Sequence, residues 1–241
     1  SVSNSAQLYL TGQYGRLTAL FLEDLGSASL LANPTAERAQ RLGEELAKMH
    51  RSYCYRTDEL MQTGVLRTLF PLDYEEFTAG MVKRIAEWKL AGQSTLADVE
   101  QLAALLARKL ASEPISLVHG DLYAENIILR NHKTFIIDWS WFTMLGVPLM
   151  DLATICMEHP KNGDLYKYRD DLLEVYCFES GRDRAVINEL LPYAETLARL
   201  IFLQWLVERR NRGIMGTTVG PVDNLIPRVI TELQERLANL V

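Results

Sequence analysis

Leu117 to Arg130 reads LVHGDLYAENIILR. Between two apolar, strand-like runs the chain places an imidazole, two acids and an amide: His119, Asp121, Glu125 and Asn126. Short apolar stretches at Ile115 to Val118, Asn126 to Leu129 and Phe135 to Ile137 predict three strands, the last two joined by RNHK at 130–133. His119, Asp121 and Asn126 spell H-x-D-x-x-x-x-N, and seventeen residues after Asp121 the run FII ends on Asp138. Each strand end delivers a polar group to one corner, because such short strands joined by a tight turn return the chain close to its start.

Two carboxylates and an amide on converging strand ends are what a magnesium-bound polyphosphate requires. Mg²⁺ is a hard cation, usually held by one or two protein oxygen ligands together with the substrate's own phosphates. In that arrangement Asn126 and Asp138 are the metal ligands. Asp121 stays free to orient and deprotonate an attacking hydroxyl. Taken singly each residue has a blander reading: His119 or Asp121 in a loop or cap, Asn126 opening a strand, Asp138 capping a turn. Their occurrence in this order, followed by P-x-x-D-L-A at 148–153, favours the chemistry.

Outward from this corner the rest of the chain is mostly helical. AQLYLTGQYGRLTALFLEDLG, residues 6–26, predicts a hairpin with its turn around TGQYG and a second strand ending near Leu22. Asn33 and Pro34 predict a cap and first helical position, ahead of a helix with Leu42, Leu46 and Met49 on one face. Asp73 with Glu76 resembles a capping box before the stripe Tyr74, Phe77, Met81, Ile85 and Trp88; Thr95 with Asp98 does the same before Leu96, Val99, Leu102, Leu106 and Leu110. Further amphipathic stretches lie near 164–178, 184–210 and 224–240. The order is hairpin, helices, small strand cluster, helices: an α+β fold with one β-rich corner.

The 241 residues carry a formal net charge of −6, which offers no basic footprint for nucleic acid and disfavours approach to anionic lipid. Cys54, Cys156 and Cys177 are widely spaced, without a zinc or disulfide pattern. No apolar run approaches the ~18 to 20 residues of a membrane span, and residues 1–10 lack the charged and apolar regions of a signal peptide. A cytoplasmic location is expected; oligomeric state is unreadable.

HGDLYAENIIL followed by FIIDWSWFTMLGVPLMDLA resembles the aminoglycoside phosphotransferase and choline kinase group of the protein-kinase-like fold. LFLEDLG is similar to that group's hinge between lobes, and RLGEELAKMH to its L-x-x-L-H helix. The resemblance spans Leu20 to Ala153. It implies that Asp121 is the catalytic base, that Asn126 and Asp138 bind Mg²⁺, and that backbone groups from Glu23 to Leu25 meet the adenine of ATP. It also implies that His119 supports the loop and Asp151 braces it through backbone amides. Tyr123, Trp139 and Trp141 are read as packing against the loop.

Family members also carry an N-terminal sheet with a phosphate-covering loop and a Lys paired with a Glu. Here no lysine precedes Lys48, and the first acid is Glu23. The expectation is that residues 1–25 are the end of that lobe, a hairpin and hinge, and residues 26–241 the helical lobe. The predicted function is an ATP- and Mg²⁺-dependent phosphotransferase acting on a hydroxyl of a small molecule such as a sugar, aminoglycoside or amino alcohol. Asp164, Asp170, Asp171 or Glu174 could meet a cationic acceptor, though a solvated helix face accounts for them as well. The alternative is a non-catalytic kinase-like binding or regulatory module. A two-metal phosphohydrolase or nuclease ranks last, because His50, His132 and His159 fit no ligand spacing.

Overall fold

The computed structural model describes residues 6–14, 17–131 and 133–241. β1 (Leu8–Tyr14) and β2 (Leu17–Leu22) form the predicted antiparallel hairpin. Pairing of Tyr14 with Leu17 puts Thr11 to Tyr14 inside β1 rather than in the turn; the connecting residues 15 and 16 lie outside the described ones. Past the hairpin, Ser29 bridges to Ile128 and Ala28 C=O accepts from Leu129 N–H at 3.0 Å, so the chain leaving the hairpin is stitched to the later strand cluster.

α1 (Ala36–Cys54) starts later than predicted. Its cap is Thr35, whose hydroxyl accepts from Arg38 N–H at 3.3 Å, whereas Asn33 closes the preceding 3-10 turn and its carbonyl takes Arg38 Nη1 at 2.6 Å. The expected face, Leu42, Leu46 and Met49, is fully buried. It continues through Gly43, where a Cβ would stand 2.3 Å from the Leu172 carbonyl oxygen, so this helix packs backbone to backbone on a later one. α2 (Thr57–Gln62) and β3 (Arg67–Thr68) were not anticipated by the apolar spacing.

α3 (Tyr74–Glu87) buries Tyr74, Met81 and Ile85, with Phe77 and Trp88 half-buried. Asp73 holds the N-cap position of α3 as predicted, but its side chain makes no capping bond: the carboxylate reaches back to Phe70 N–H at 3.0 Å, closing the short turn Pro71–Asp73. α4 (Gln93–Leu110) buries the five predicted leucine and valine positions, but begins after Gly92, so Thr95 lies inside it and Asp98 accepts from Gln234 at 2.6 Å.

β4 (Ser116–Val118) follows, then β5 (Ile127–Arg130), β6 (Lys133–Ile136) and β7 (Met144–Gly146). β5 and β6 are an antiparallel hairpin in which Arg130 pairs with Lys133 and Ile127 with Ile136; His132 of the predicted RNHK link lies outside the described residues. β7 runs parallel to β3 and antiparallel to β4. α5 (Leu149–Cys156) is buried along its whole length. α6 (Arg169–Ser180), α7 (Arg184–Asn211), the small hairpin β8 (Gly216–Thr217) with β9 (Gly220–Pro221), and α8 (Val222–Leu240) complete the body.

By length and composition α7 passes as a membrane span, with mean hydropathy 1.2 over its most apolar window, which qualifies the sequence-based reading. Yet 61% of that window is buried in the body, where α7 packs on α4, α5 and α8, and that packing accounts for its apolarity. The three cysteines are free.

Candidate active site

The loop after β4 is pinned from below. Val118, Leu122 and Ala124 are fully buried, and between them the backbone must turn sharply at Gly120 (φ +77°), where a Cβ would meet the Phe142 carbonyl oxygen at 2.3 Å. Asp151, fully buried on α5, accepts from the backbone N–H of His119 and of Gly120, each at 2.9 Å. His50 of α1 adds a third contact, Nε2 to Asp151 Oδ2 at 3.3 Å, while Tyr176 O–H donates to His50 Nδ1 at 3.1 Å. Three donors around one buried carboxylate satisfy a charge that would otherwise be costly to bury.

His119 is buried as well. Its Nε2 donates to Ile137 C=O at 2.8 Å, its Nδ1 accepts from Asp121 N–H at 3.3 Å, and Trp139 lies against the ring at 4.8 Å. It therefore ties the Asp121 backbone to the residue before Asp138. From the other side, fully buried Asn162 accepts from Ala124 N–H at 3.0 Å and donates to the carbonyls of Thr154 and Met157.

Within this frame the structure brings Asp121, Asn126 and Asp138 to one corner. Asn126 ends a 3-10 turn, and its side-chain amide donates to Asp121 C=O at 2.9 Å. Its own carbonyl accepts from Ile137 N–H at 3.0 Å, which seats Asp138 at the open end of the β5–β6 hairpin. Asp138 adopts φ +61°, a left-handed conformation that turns the chain out of β6. Burial pushes the Asp121 carboxyl above the usual carboxylate range; nearby Lys161 opposes this, and the charges of Asp138 and Glu125 add to it.

The donor set suits a hard divalent cation. Because Asn126 spends its nitrogen on Asp121, its Oδ1 is left without a donor among the described residues, and the Asp138 carboxylate likewise has no hydrogen bond or ion pair to them. One amide oxygen and one carboxylate, brought to the same corner by the bond from Ile137 N–H to Asn126 C=O, are ligands of the kind Mg²⁺ takes together with a phosphate. Among the described residues no group of three or more His, Cys, Asp or Glu side chains converges on a metal site.

Glu23 and Leu25 lie at the edge of this corner. The Glu23 carboxylate is engaged by Arg130 of β5 at 2.8 Å, and the same guanidinium donates to Asp24 C=O at 3.0 Å, so the segment leaving the hairpin is clamped onto β5. Glu23 N–H is spent on Gln7 C=O at 2.7 Å. Leu25 is buried and its N–H makes no hydrogen bond to a described residue.

Asp164 and Asp170 are paired with Lys167 and Arg184, and Asp171 accepts from Gln40 on α1. The structure gathers aromatic rings near the corner instead: Tyr123 lies against His159 at 4.7 Å, and Trp141, Phe142, Trp205 and Phe202 follow one another with centroids 5.1 to 5.8 Å apart. Arg67 covers Trp141 at 3.7 Å. A cavity of about 490 Å³ between α7 and α8, lined by Arg199, Glu232, Glu235 and Arg236, includes none of Asp121, Asn126 and Asp138.

Sequence reasoning missed Asn162, Lys161 and Arg130. KNGD at 161–164 has the look of an ordinary polar turn, and no local signal tells that its Asn is buried under a loop 38 residues upstream.

Comparison with known proteins identifies the fold and the family. Protein LicA of Haemophilus influenzae is 38% identical over 64 residues, 27% of this chain and 22% of that protein, so the match spans about a fifth of its length. The solved Plasmodium vivax ethanolamine kinase superposes with a TM-score of 0.69 at 14% identity, covering 100% of this chain and 70% of that one. The gentamicin complex of APH(2″)-IIa gives 0.60 at 14%, over 98% and 74%. The fold is thus protein-kinase-like, with a mainly helical body and a small β-hairpin corner. The model of the phosphotransferase enzyme family (APH) matches residues 6–190, which take in the clamped hairpin exit, the braced HGD loop and the hairpin ending at Asp138. This chain belongs to that family of phosphotransferases.

Proposed function

We propose that this protein is an ATP- and Mg²⁺-dependent small-molecule kinase that moves the γ-phosphoryl group onto a hydroxyl, with Asp121 as base and Asn126 and Asp138 as metal ligands. The observation that carries the reading is the orientation of Asn126: its nitrogen is committed to Asp121 C=O, which leaves its oxygen to ligate a cation at the corner where the bond from Ile137 N–H to Asn126 C=O also seats Asp138. When bound, magnesium would offset phosphate charge and orient the phosphoryl group for in-line attack.

The chain's own residues do the rest. Asp121 sits on a loop fixed at both ends, by Asp151 through His119 and Gly120 and by Asn162 through Ala124. Its carboxyl, raised by burial, is a better proton acceptor than a fully solvated aspartate and takes the proton of the acceptor hydroxyl. Fixing the base in place supplies much of the advantage, since positioning converts a bimolecular encounter into an intramolecular one. The Leu25 N–H, unspent on described residues, supports a nucleotide at the segment held by Arg130.

For the acceptor, the aromatic surface of Tyr123, Trp141 and Phe142 favours a compact molecule with an apolar or ring face. The neighbours' names include an ethanolamine kinase and an enzyme solved with gentamicin, so amino alcohols, sugars and aminoglycosides form the panel to screen. The test is a thermal shift with MgATP on the wild type and on Asp138→Ala. The wild type should gain stability as ligand exceeds its dissociation constant, and the variant should not. No shift in the wild type would favour a non-nucleotide binding module. ADP release with the acceptor panel, measured on the full-length protein, then identifies the substrate.

A further inference from the structure

Lys161 has no part in the chemistry above, yet the fold holds it over the loop that carries Asp121. It follows His159 and Pro160 at the start of a 3-10 segment, and His159 Nδ1 accepts from its backbone N–H at 3.2 Å. His159 stacks on Tyr123, and the next residue, Asn162, is bonded to Ala124. His159, two residues before Lys161, and Asn162, just after it, therefore both touch the segment between Asp121 and Asn126.

The side chain lies on the same segment. Nζ is 2.7 Å from Glu125 Oε1 and 5.0 Å from the centre of the Tyr123 ring. The side chain as a whole remains 41% exposed. Of its three N–H donors one serves Glu125, which leaves two for a ligand. An incoming phosphate otherwise meets the charge of Asp121, on which the charges of Asp138 and Glu125 already act. A compact, multiply donating cation is the group that relieves that repulsion.

Resting on the proposed kinase reading, we propose that Lys161 is a further catalytic residue, its ammonium, steadied by Glu125 and the Tyr123 ring, contacting the terminal phosphoryl group of the nucleotide. In the transfer the bond from phosphorus to the β-phosphate oxygen breaks, the bond to the acceptor oxygen forms, the acceptor proton passes to Asp121, and ADP leaves. Lys161 makes no bond and keeps its protons. Burial works against its charge, but Glu125 together with Asp121 and Asp138 outweighs burial, and the group stands above the ordinary lysine value.

The test compares the calorimetric affinities of MgADP and of magnesium β,γ-imido-ATP for the wild type, Lys161→Met, Lys161→Arg and Glu125→Gln. Lys161→Met should weaken the triphosphate analogue about tenfold or more while MgADP changes by less than about twofold, the loss of one charge-assisted contact. Lys161→Arg should keep the preference for the analogue, and Glu125→Gln should not reproduce the methionine variant. Equal weakening of both nucleotides, no change in either, or a glutamine variant that mimics Lys161→Met would reduce Lys161 to a structural partner of Glu125 and overturn the inference. A wild type that binds neither nucleotide overturns the kinase reading itself, a separate outcome.

Discussion

Asp151 holds the backbone of His119, 32 residues upstream, at 2.9 Å through an oxygen that His50 also contacts. A carboxylate from a buried helix thus fixes the start of the loop whose third residue is the proposed base, as Asn162 fixes its far end.

Removing that carboxylate strands two loop amides and His50 in a buried site. Asp151→Ala is expected to lose about 3 to 5 kcal/mol of stability, read by urea denaturation, since uncompensated buried donors carry their full desolvation cost. Asp151→Asn keeps one acceptor oxygen and should lose less stability. Indistinguishable denaturation of Asp151→Ala and wild type would contradict the bracing role.

Gly120 tests the close approach of two chain segments. Gly120→Ala places a methyl group 2.3 Å from the Phe142 carbonyl oxygen at a φ of +77°. The backbone must shift, displacing Asp121, and phosphoryl transfer should fall at least about a hundredfold, as a displacement near 1 Å does elsewhere. Full activity in this variant would mean that loop position is not limiting.

Asp121 is expected to show a trade between stability and function. Its folded carboxyl binds a proton more tightly than in the unfolded chain, so the associated stability is complete below the ordinary carboxylate range and is lost as pH rises through the elevated value. At neutral pH the ionised group is therefore a net cost in the metal-free protein. Asp121→Asn should raise Tm by about 1 to 3 °C at pH 7, with the gain vanishing below about pH 4, while turnover is abolished. A lower Tm at pH 7 would show that the charge is better compensated than burial indicates.

Arg130 joins the hairpin exit to β5 through Glu23 and the Asp24 carbonyl. The pair is partly exposed, so Arg130→Ala should cost no more than about 1 kcal/mol of stability. Nucleotide KM should rise several-fold with kcat changed less, because the segment proposed to meet the base loses its anchor. An unchanged KM would place the nucleotide elsewhere.

The apolar spacing of α1, α3 and α4 and the order His119, Asp121, Asn126, Asp138 were legible in the sequence. Both depend on local geometry: helix periodicity, strand rise and the short hairpin that turns Asp138 back toward Asn126. Helix starts were read less evenly: Asp73 does stand at the N-cap position of α3, but Asn33 and Thr95, good caps in isolation, are displaced by Thr35 and Gly92, because which group captures an end depends on where the neighbouring turn finishes.

Tertiary structure alone decided which distant groups meet. Leu42 and Leu46 need only an apolar neighbour, so their spacing announces burial whatever lies opposite. Asn162 under Ala124, Lys161 over Tyr123 and Arg130 against Glu23 each need one particular partner, 38 to 107 residues away, brought there by helix packing. Hydrophobic burial is non-directional and leaves a periodic trace along the chain; a hydrogen bond or ion pair is directional and leaves none.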